Sequence, residues 1–159
     1  MQNKFWGWYE RWYKFIAPLT ALLFVSQVVH LYWMTTNVVF FKIFGQAFWD
    51  PSAFWNTVIA LVDYVEIPAI ISSSVFYVHQ YRQSIDLKWR SVLFLFLINS
   101  QWIHLFWITD EIIYEQFVGA SLVTIPMWLS WVAISIDYLE LPVMYDTIKK
   151  AIISLRKTD

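Results

Sequence analysis

Apolar residues fill four long stretches of the chain, and polar or aromatic segments separate these stretches. The first runs from about Pro18 to Phe41, the second from about Trp55 to Tyr77, the third from about Ser91 to Thr109, and the fourth from about Pro126 to Tyr145. About 20 mostly apolar residues are enough for a helix to cross the hydrocarbon core of a bilayer. The pattern therefore predicts an all-α, polytopic membrane protein with four transmembrane helices.

The segments around these stretches predict the elements that join and flank the helices. Residues 4–14 mix basic side chains with Trp, Tyr and Phe, which is typical of an amphipathic helix at the membrane interface. Residues 42–54 predict a turn, and residues 79–90 predict a polar loop. A further loop follows the third stretch and contains Asp110, Glu111, Glu115 and Gly119.

Two polar phrases occur twice in the chain. Residues 63–68 (Asp-Tyr-Val-Glu-Ile-Pro) return as residues 137–142 (Asp-Tyr-Leu-Glu-Leu-Pro), and residues 26–33 return in similar form as residues 100–107. Both phrases recur at the same offset of 74 positions. This regularity indicates a tandem duplication of a two-helix unit within a single membrane domain.

The predicted repeats cover about residues 15–80 and about residues 89–154 of the 159-residue chain. Since each repeat contains two transmembrane helices, both repeats should enter the membrane in the same direction. Such repeats are related by a pseudo-two-fold axis along the membrane normal.

Each repeat places one His and one Asp-x-x-Glu motif inside its apolar stretches. A helix rises about 1.5 Å per residue, which puts these side chains near the middle of a core of about 30 Å. The Asp and Glu of each motif share one helix face because they are three positions apart. We therefore expect one buried polar cluster near the membrane midplane, made of His30, Asp63, Glu66, His104, Asp137 and Glu140.

Unpaired carboxylates at that depth are costly, since insertion scales put one Asp at the helix centre at roughly +2.5 to +3.5 kcal/mol. Protonation, internal hydrogen bonds or a bound cation would offset this cost, and a cation would neutralise the most charge. Two His and four carboxylates are also the ligand count of di-iron and di-manganese four-helix proteins. Imidazole with carboxylate suits iron, manganese or zinc. The sequence favours one or two such ions bound by all six residues, for oxidative chemistry on a lipid-soluble substrate or for ion movement.

Other interpretations of the same residues stay open. Without metal, Glu66 and Glu140 would act as acid–base catalysts in a site for a lipophilic molecule. In a third interpretation, the cluster only ties helices together in an accessory subunit of a membrane complex. A haem between His30 and His104 is disfavoured, because it leaves the carboxylates unexplained and no glycine in an apolar stretch makes room for a porphyrin.

Gln27 and Gln101 each precede a cluster His by three positions, so each shares a helix face with that His. In a metal site, these amides are predicted to support the ligands by hydrogen bonds. Otherwise they would join one helix to another.

Composition and charge narrow the class of protein. Of the 159 residues, 59% are hydrophobic and 21% are aromatic, which is more than a soluble domain of this length carries. The absence of cysteine excludes disulfides and thiolate metal sites, and the net charge of −1 without a basic cluster argues against nucleic acid as a partner. The expected partners are membrane lipids and a lipophilic small molecule.

Basic residues are distributed unevenly between the two predicted sides of the membrane. Four crossings put both termini on one side, and that side holds ten of the eleven Lys and Arg residues, whereas only Lys42 lies on the other. Cytoplasmic loops carry an excess of Lys and Arg. The sequence therefore predicts an integral membrane protein with cytoplasmic N- and C-termini.

Short motifs of the chain resemble those of the EXPERA superfamily. They are Val29-His30-Leu31 in the first stretch, Glu66 in the second, and Leu139-Glu140-Leu141-Pro142 followed by Asp146 and Lys149 in the fourth. Members of that family have four or five spans and a lipid-accessible cavity lined by His and acids. The resemblance implies that His30, Glu66 and Glu140 transfer protons around a hydrophobic substrate. Met34 stands where the family's isomerase pattern has an acid.

Overall fold

The computed structural model describes residues 4–83, 87–109 and 126–156, and in these residues the chain is helical and contains no strand. The first helical segment consists of α1 (Lys4–Trp33), a π-helical stretch (Met34–Val39) and α2 (Phe40–Phe44). The second consists of α3 (Ala53–Val62), a 3₁₀ turn (Asp63–Val65) and α4 (Glu66–Gln83).

The third segment consists of α5 (Lys88–Asn99) and α6 (Gln101–Ile108), and the fourth consists of α7 (Met127–Tyr138) and α8 (Leu141–Arg156). Helix α1 packs against α4 and α8, while α4 also packs against α5 and α6 packs against α7. The four segments therefore form one helical bundle.

Three of the four segments are long and apolar enough to cross a membrane. They are Lys4–Phe44, Phe54–Gln83 and Lys88–Ile108. In the fourth segment, a turn divides the chain into helices of 12 and 16 residues. Because a crossing needs roughly 20 residues, neither helix is long enough alone, and a fourth crossing would require both together.

The bundle places apolar side chains outside and polar side chains inside, which is the distribution expected in lipid. Phe15, Leu22 and Phe106 are each between 65% and 69% exposed. In contrast, Gln27 and Gln101 are 2% and 0% exposed. A soluble domain rarely exposes so large an apolar surface, whereas intramembrane polar residues almost always face the bundle interior.

Two predicted boundaries are wrong. Helix α1 passes through Pro18 without interruption, so residues 4–14 do not form a separate interfacial helix. At about 1.5 Å per residue, the first segment is roughly 60 Å long and extends well beyond a hydrocarbon core of about 30 Å. The predicted loop at residues 79–90 begins later than expected, because α4 continues to Gln83.

The structure gives a reason for the length of α4. His79 and Gln83 lie one turn apart, and both contact Glu10 of α1 at 3.1 Å, which holds the two helices together in this region. The predicted turn after the first segment is present, since Gly45 ends α2 in a left-handed conformation (φ 73°). The acidic residues at positions 110, 111 and 115 and Gly119 lie outside the described residues.

The second and fourth segments are irregular at their Asp-x-x-Glu-x-Pro motifs. The second has its 3₁₀ turn at Asp63–Val65, and the fourth has a turn at Leu139 and Glu140. In each segment a new helix then begins, with Pro68 or Pro142 in its first turn, where the missing N–H costs no hydrogen bond. The acidic side chains of the predicted site lie in these irregular turns or at the helix ends that adjoin them.

Candidate functional site

All six predicted cluster residues are buried in the bundle. Each of the two His and four acidic side chains belongs to a residue that is at most 2% exposed: His30, Asp63, Glu66, His104, Asp137 and Glu140. Helices α1 and α6 supply the histidines, the irregular turns supply Asp63 and Glu140, and the adjoining ends of α4 and α7 supply Glu66 and Asp137. The six predicted residues therefore lie in the polar interior of the bundle.

The carboxylate of Asp137 lies between the two imidazoles. Its Oδ2 is 3.2 Å from Nε2 of His30, and its Oδ1 is 3.3 Å from Nε2 of His104. The ring centroids of the two histidines are 5.7 Å apart. One potential ligand atom from each of these three residues lies within 4.8 Å of the others, which is close enough for all three to bind one ion.

Asp63 contacts the opposite side of the His30 ring. Its Oδ1 is 2.6 Å from Nδ1 of His30, so the ring lies between two carboxylates. His104 differs, because no second carboxylate contacts its ring in the described part of the chain, and its further partner is the backbone carbonyl of Ala133. The two halves of the cluster are therefore related in sequence but not equivalent in contacts.

These contacts are within hydrogen-bond distance, but their geometry is poor. Neither ring nitrogen of His30 makes a well-aligned hydrogen bond with a described residue, and neither does either carboxylate oxygen of Asp63. Leaving a buried polar atom without a partner typically costs about 1–3 kcal/mol. Because several such atoms face one another here, a shared cation would satisfy more of them than any single hydrogen bond.

Glu66 and Glu140 form a second part of the cluster. Their carboxyl groups hydrogen-bond to each other, and one oxygen of each has no further partner among the described residues. An ionised carboxylate only accepts hydrogen bonds, so this contact requires a proton on at least one of the two groups. The pair thus differs chemically from the three residues that could share an ion.

Gln27 and Gln101 contact the backbone of the segments that carry the acids. The Gln27 side chain donates to the carbonyl of Val62 at 3.1 Å, and that of Gln101 donates to the carbonyl of Ile136 at 3.0 Å. Each acceptor directly precedes a cluster Asp in the sequence. The two amides therefore position Asp63 and Asp137 against the His-bearing helices.

Further contacts repeat at the offset of 74 positions. The hydroxyls of Thr35 and Tyr138 are 2.6 Å apart, and those of Tyr64 and Thr109 are 2.7 Å apart. Each threonine hydroxyl also donates to the carbonyl four residues earlier, so the tyrosine must donate to the threonine. In each pair the two residues come from different halves of the chain.

The two histidines also have matching aromatic neighbours. The ring centroids of His30 and Trp33 are 5.5 Å apart, and those of His104 and Trp107 are 5.6 Å apart. Both indoles are buried, and they cover the cluster on the side that faces away from the chain termini.

A fifth buried acid lies outside the cluster, and the sequence analysis named it only within a motif, without its partners. Asp146 is 3% exposed and accepts hydrogen bonds from Tyr77 at 2.9 Å and Arg90 at 2.7 Å. Lys150 also pairs with it at 2.5 Å. The four-residue spacing of Asp146 and Lys150 was a signal for this pair. Because Asp146 is well paired, it joins three helices and has no free group for chemistry.

Comparison with known proteins gives no further assignment. No protein-family model, curated protein or solved structure matches the chain. The function of the cluster therefore has to be inferred from its own residues.

Proposed function

We propose that the protein binds one transition-metal ion through His30, His104 and Asp137, for oxidative chemistry on a lipid-soluble substrate or for ion movement. The observation that carries this proposal is the position of Asp137 between two imidazole Nε2 atoms at 3.2 and 3.3 Å. Ligands of one tetrahedral ion at about 2.1 Å lie about 3.4 Å from one another, so these distances suit a shared ion.

The type of donor favours particular metals. Two His and one carboxylate are the ligand set of non-haem iron oxygenases, which leave positions on the metal open. Imidazole also binds zinc, and carboxylate also binds manganese. The proposed cofactor is therefore iron first, with manganese or zinc as alternatives.

Asp63 supports the proposal through His30. A metal-binding His commonly donates its other N–H to a carboxylate, which fixes the tautomer and the ring orientation. Asp63 lies 2.6 Å from Nδ1 of His30, in the position for this role. A divalent ion would also balance the ionised carboxylates of Asp63 and Asp137, which removes net charge from the bundle interior.

The proposal includes a membrane setting that goes beyond the three apolar segments. We propose that α7 and α8 together make a fourth crossing, that the chain is a tandem duplication, and that the termini are cytoplasmic. Contacts that repeat at the same offset, such as the two Thr–Tyr pairs and the two His–Trp pairs, support the duplication. The excess of basic residues near the termini supports the orientation.

Metal content tests the proposal directly. Protein purified in mild detergent should contain about one equivalent of iron, manganese or zinc per chain, measured by elemental mass spectrometry. His104→Ala and Asp137→Asn should each lose most of this metal, since each change removes one of only three ligands.

His79→Ala is the matched control, because His79 lies outside the cluster and contacts Glu10 near the end of the bundle. This variant should keep its metal. The metal proposal is wrong if the purified protein contains no metal and also binds none of Fe²⁺, Mn²⁺ or Zn²⁺ when each is added under anaerobic conditions.

The contact between Glu66 and Glu140 favours a second candidate function. A carboxyl pair that holds a proton could act as a metal-free acid–base catalyst on a lipophilic molecule, as the EXPERA resemblance implies. Glu140→Gln would then abolish turnover while the fold stays intact, because an amide can still hydrogen-bond to Glu66. A protein that never carries metal and loses activity in this variant would support this second function over the first.

A further inference from the structure

A cavity of about 560 Å³ lies next to the cluster, at the end of the bundle away from the termini. Its lining includes Trp33, Asn37, Phe41, Lys42, Trp107 and Met127. Trp33 and Trp107 are the two indoles that pack against the cluster histidines. The cavity volume falls in the range of about 300–1,000 Å³ that is usual for small-molecule sites.

Two hydrogen-bond donors that line this cavity can each donate to a further acceptor. The indole N–H of Trp107 has no partner among the described residues, although this residue is only 8% exposed. The equivalent N–H of Trp33 instead donates to Asn56 at 2.8 Å. Lys42 is half-buried and donates to the hydroxyl of Ser130 at 2.8 Å, but it makes no ion pair within the described parts of the chain.

Both donors favour an anion. The described partner of this half-buried ammonium is a neutral hydroxyl, and an incoming carboxylate would pair with the ammonium through a stronger, charge-assisted hydrogen bond. The unpaired N–H of Trp107 would donate to the same headgroup, and an unpaired buried donor otherwise costs about 1–3 kcal/mol.

The rest of the cavity is suited to a hydrocarbon chain. Phe41 and Met127 line the cavity and are 59% and 75% exposed on the apolar surface of the bundle. A molecule dissolved in the bilayer can therefore enter from the side. The π-helical stretch Met34–Val39 supplies one wall, and such irregular turns are frequent at functional sites.

We infer that this cavity binds a single-chain anionic lipid, with its carboxylate on Lys42 and Trp107 and its hydrocarbon chain across Phe41 and Met127. The inference rests on the proposed function in one respect, which is that this lipid would be the substrate of the cluster. Binding itself needs no metal, because neither donor belongs to the metal ligands.

Equilibrium binding of radiolabelled oleate to the protein in uncharged detergent tests the inference. We expect one saturable site per chain and binding of oleyl alcohol at least about tenfold weaker, because the alcohol lacks the charge that pairs with Lys42. Lys42→Gln should weaken oleate binding by about tenfold or more, and Trp107→Phe by about two- to tenfold.

Lys14→Gln and Trp102→Phe are the matched controls, since both residues are exposed and lie outside this cavity, and neither should change the affinity. Equal binding of oleate and oleyl alcohol would overturn the inference. So would an effect of Lys42→Gln without any effect of Trp107→Phe, because that result indicates attraction at the surface and not in the cavity.

A second measurement uses the unmodified protein. A photoreactive fatty acid should crosslink to peptides that contain Phe41 or Met127, and excess oleate should prevent the crosslink. Crosslinks confined to other faces of the bundle would contradict the inference. This result does not depend on the folding of any variant, because the protein is unmodified.

Repeating the titration after metal removal by a chelator separates this inference from the proposed function. Oleate binding by a protein that never takes up metal would sustain the cavity and refute the metal centre. Metal binding without any saturable oleate site would sustain the metal centre and refute the lipid site.

Discussion

Two aspartates with the same sequence context have different roles at the level of single residues. Asp63 and Asp137 occupy matching positions in the repeated motif, yet only Asp137 contacts both histidines. The rings of His30 and His104 are 5.7 Å apart, which leaves room for one carboxylate between them. A site shared by two halves of a chain must therefore use one of the matching residues in the centre and the other at the edge.

Substitution of each aspartate should separate these roles. We expect Asp63→Asn to weaken metal binding about 10- to 100-fold, the usual loss when a supporting hydrogen-bond partner of a ligand is changed. Asp137→Asn should have a larger effect because it replaces a ligand. Competition titration against a chelator of known affinity measures both values. Equal losses in the two variants would mean that Asp63 is itself a ligand.

The sequence predicted which residues form the cluster, but not that the cluster consists of a His–Asp group and a separate pair of glutamates. Helical spacing and the repeated motif were enough to bring His30, Asp137 and the other four residues together. They could not show that Glu66 and Glu140 pair with each other, because that pairing depends on how the second and fourth segments face across the bundle. The two donors of the cavity, Lys42 and Trp107, were missed for the same reason.

Among the elements, the irregular turns of the second and fourth segments fix the position of the acids. Pro68 and Pro142 suit these positions, because each lies in the first turn of a helix, where a residue without an N–H costs no hydrogen bond. The continuity of α1 through Pro18 could not be predicted, since packing of α1 against α4 and α8 outweighs the local penalty of one proline.

The two glutamine contacts should stabilise the bundle by similar amounts. Gln27→Leu and Gln101→Leu each remove one hydrogen bond between helices, for which we expect a loss of about 0.5–1.5 kcal/mol in the free energy of unfolding. Unfolding by titration with a denaturing detergent measures this loss. The control is Gln46→Leu, which changes an exposed glutamine without a side-chain hydrogen bond to any described residue and should have little effect. A loss confined to one of the two buried positions would contradict the equivalence of the halves.

For the whole molecule, buried polar groups and exposed apolar groups give the distribution expected of a protein in a lipid bilayer. Three segments have the length and composition to cross a membrane, and the fourth is divided by the turn that carries Glu140. The apolar stretches of the sequence predicted the three segments that are long enough to cross. A fourth crossing belongs to the proposal, because the turn at Leu139 and Glu140 divides that segment into two helices that are each too short to cross alone.

Reporter fusions test the orientation of the whole chain. A fusion at the C-terminus should report a cytoplasmic location, and an insertion after Gly45 should report the opposite side. The reason is the cost of moving ten of the eleven basic residues to the non-cytoplasmic side. A cytoplasmic signal from the insertion would contradict both the orientation and the shared direction of the two halves.

The crossed pairs Thr35–Tyr138 and Tyr64–Thr109 have a consequence for the origin of the fold. In one pair the first half supplies the threonine, and in the other it supplies the tyrosine. A polypeptide of half this length would leave both of its own groups without these partners. Two copies of it, packed face to face, would complete both bonds at once. The proposed tandem duplication would therefore have joined two subunits that already made these contacts as a symmetric homodimer.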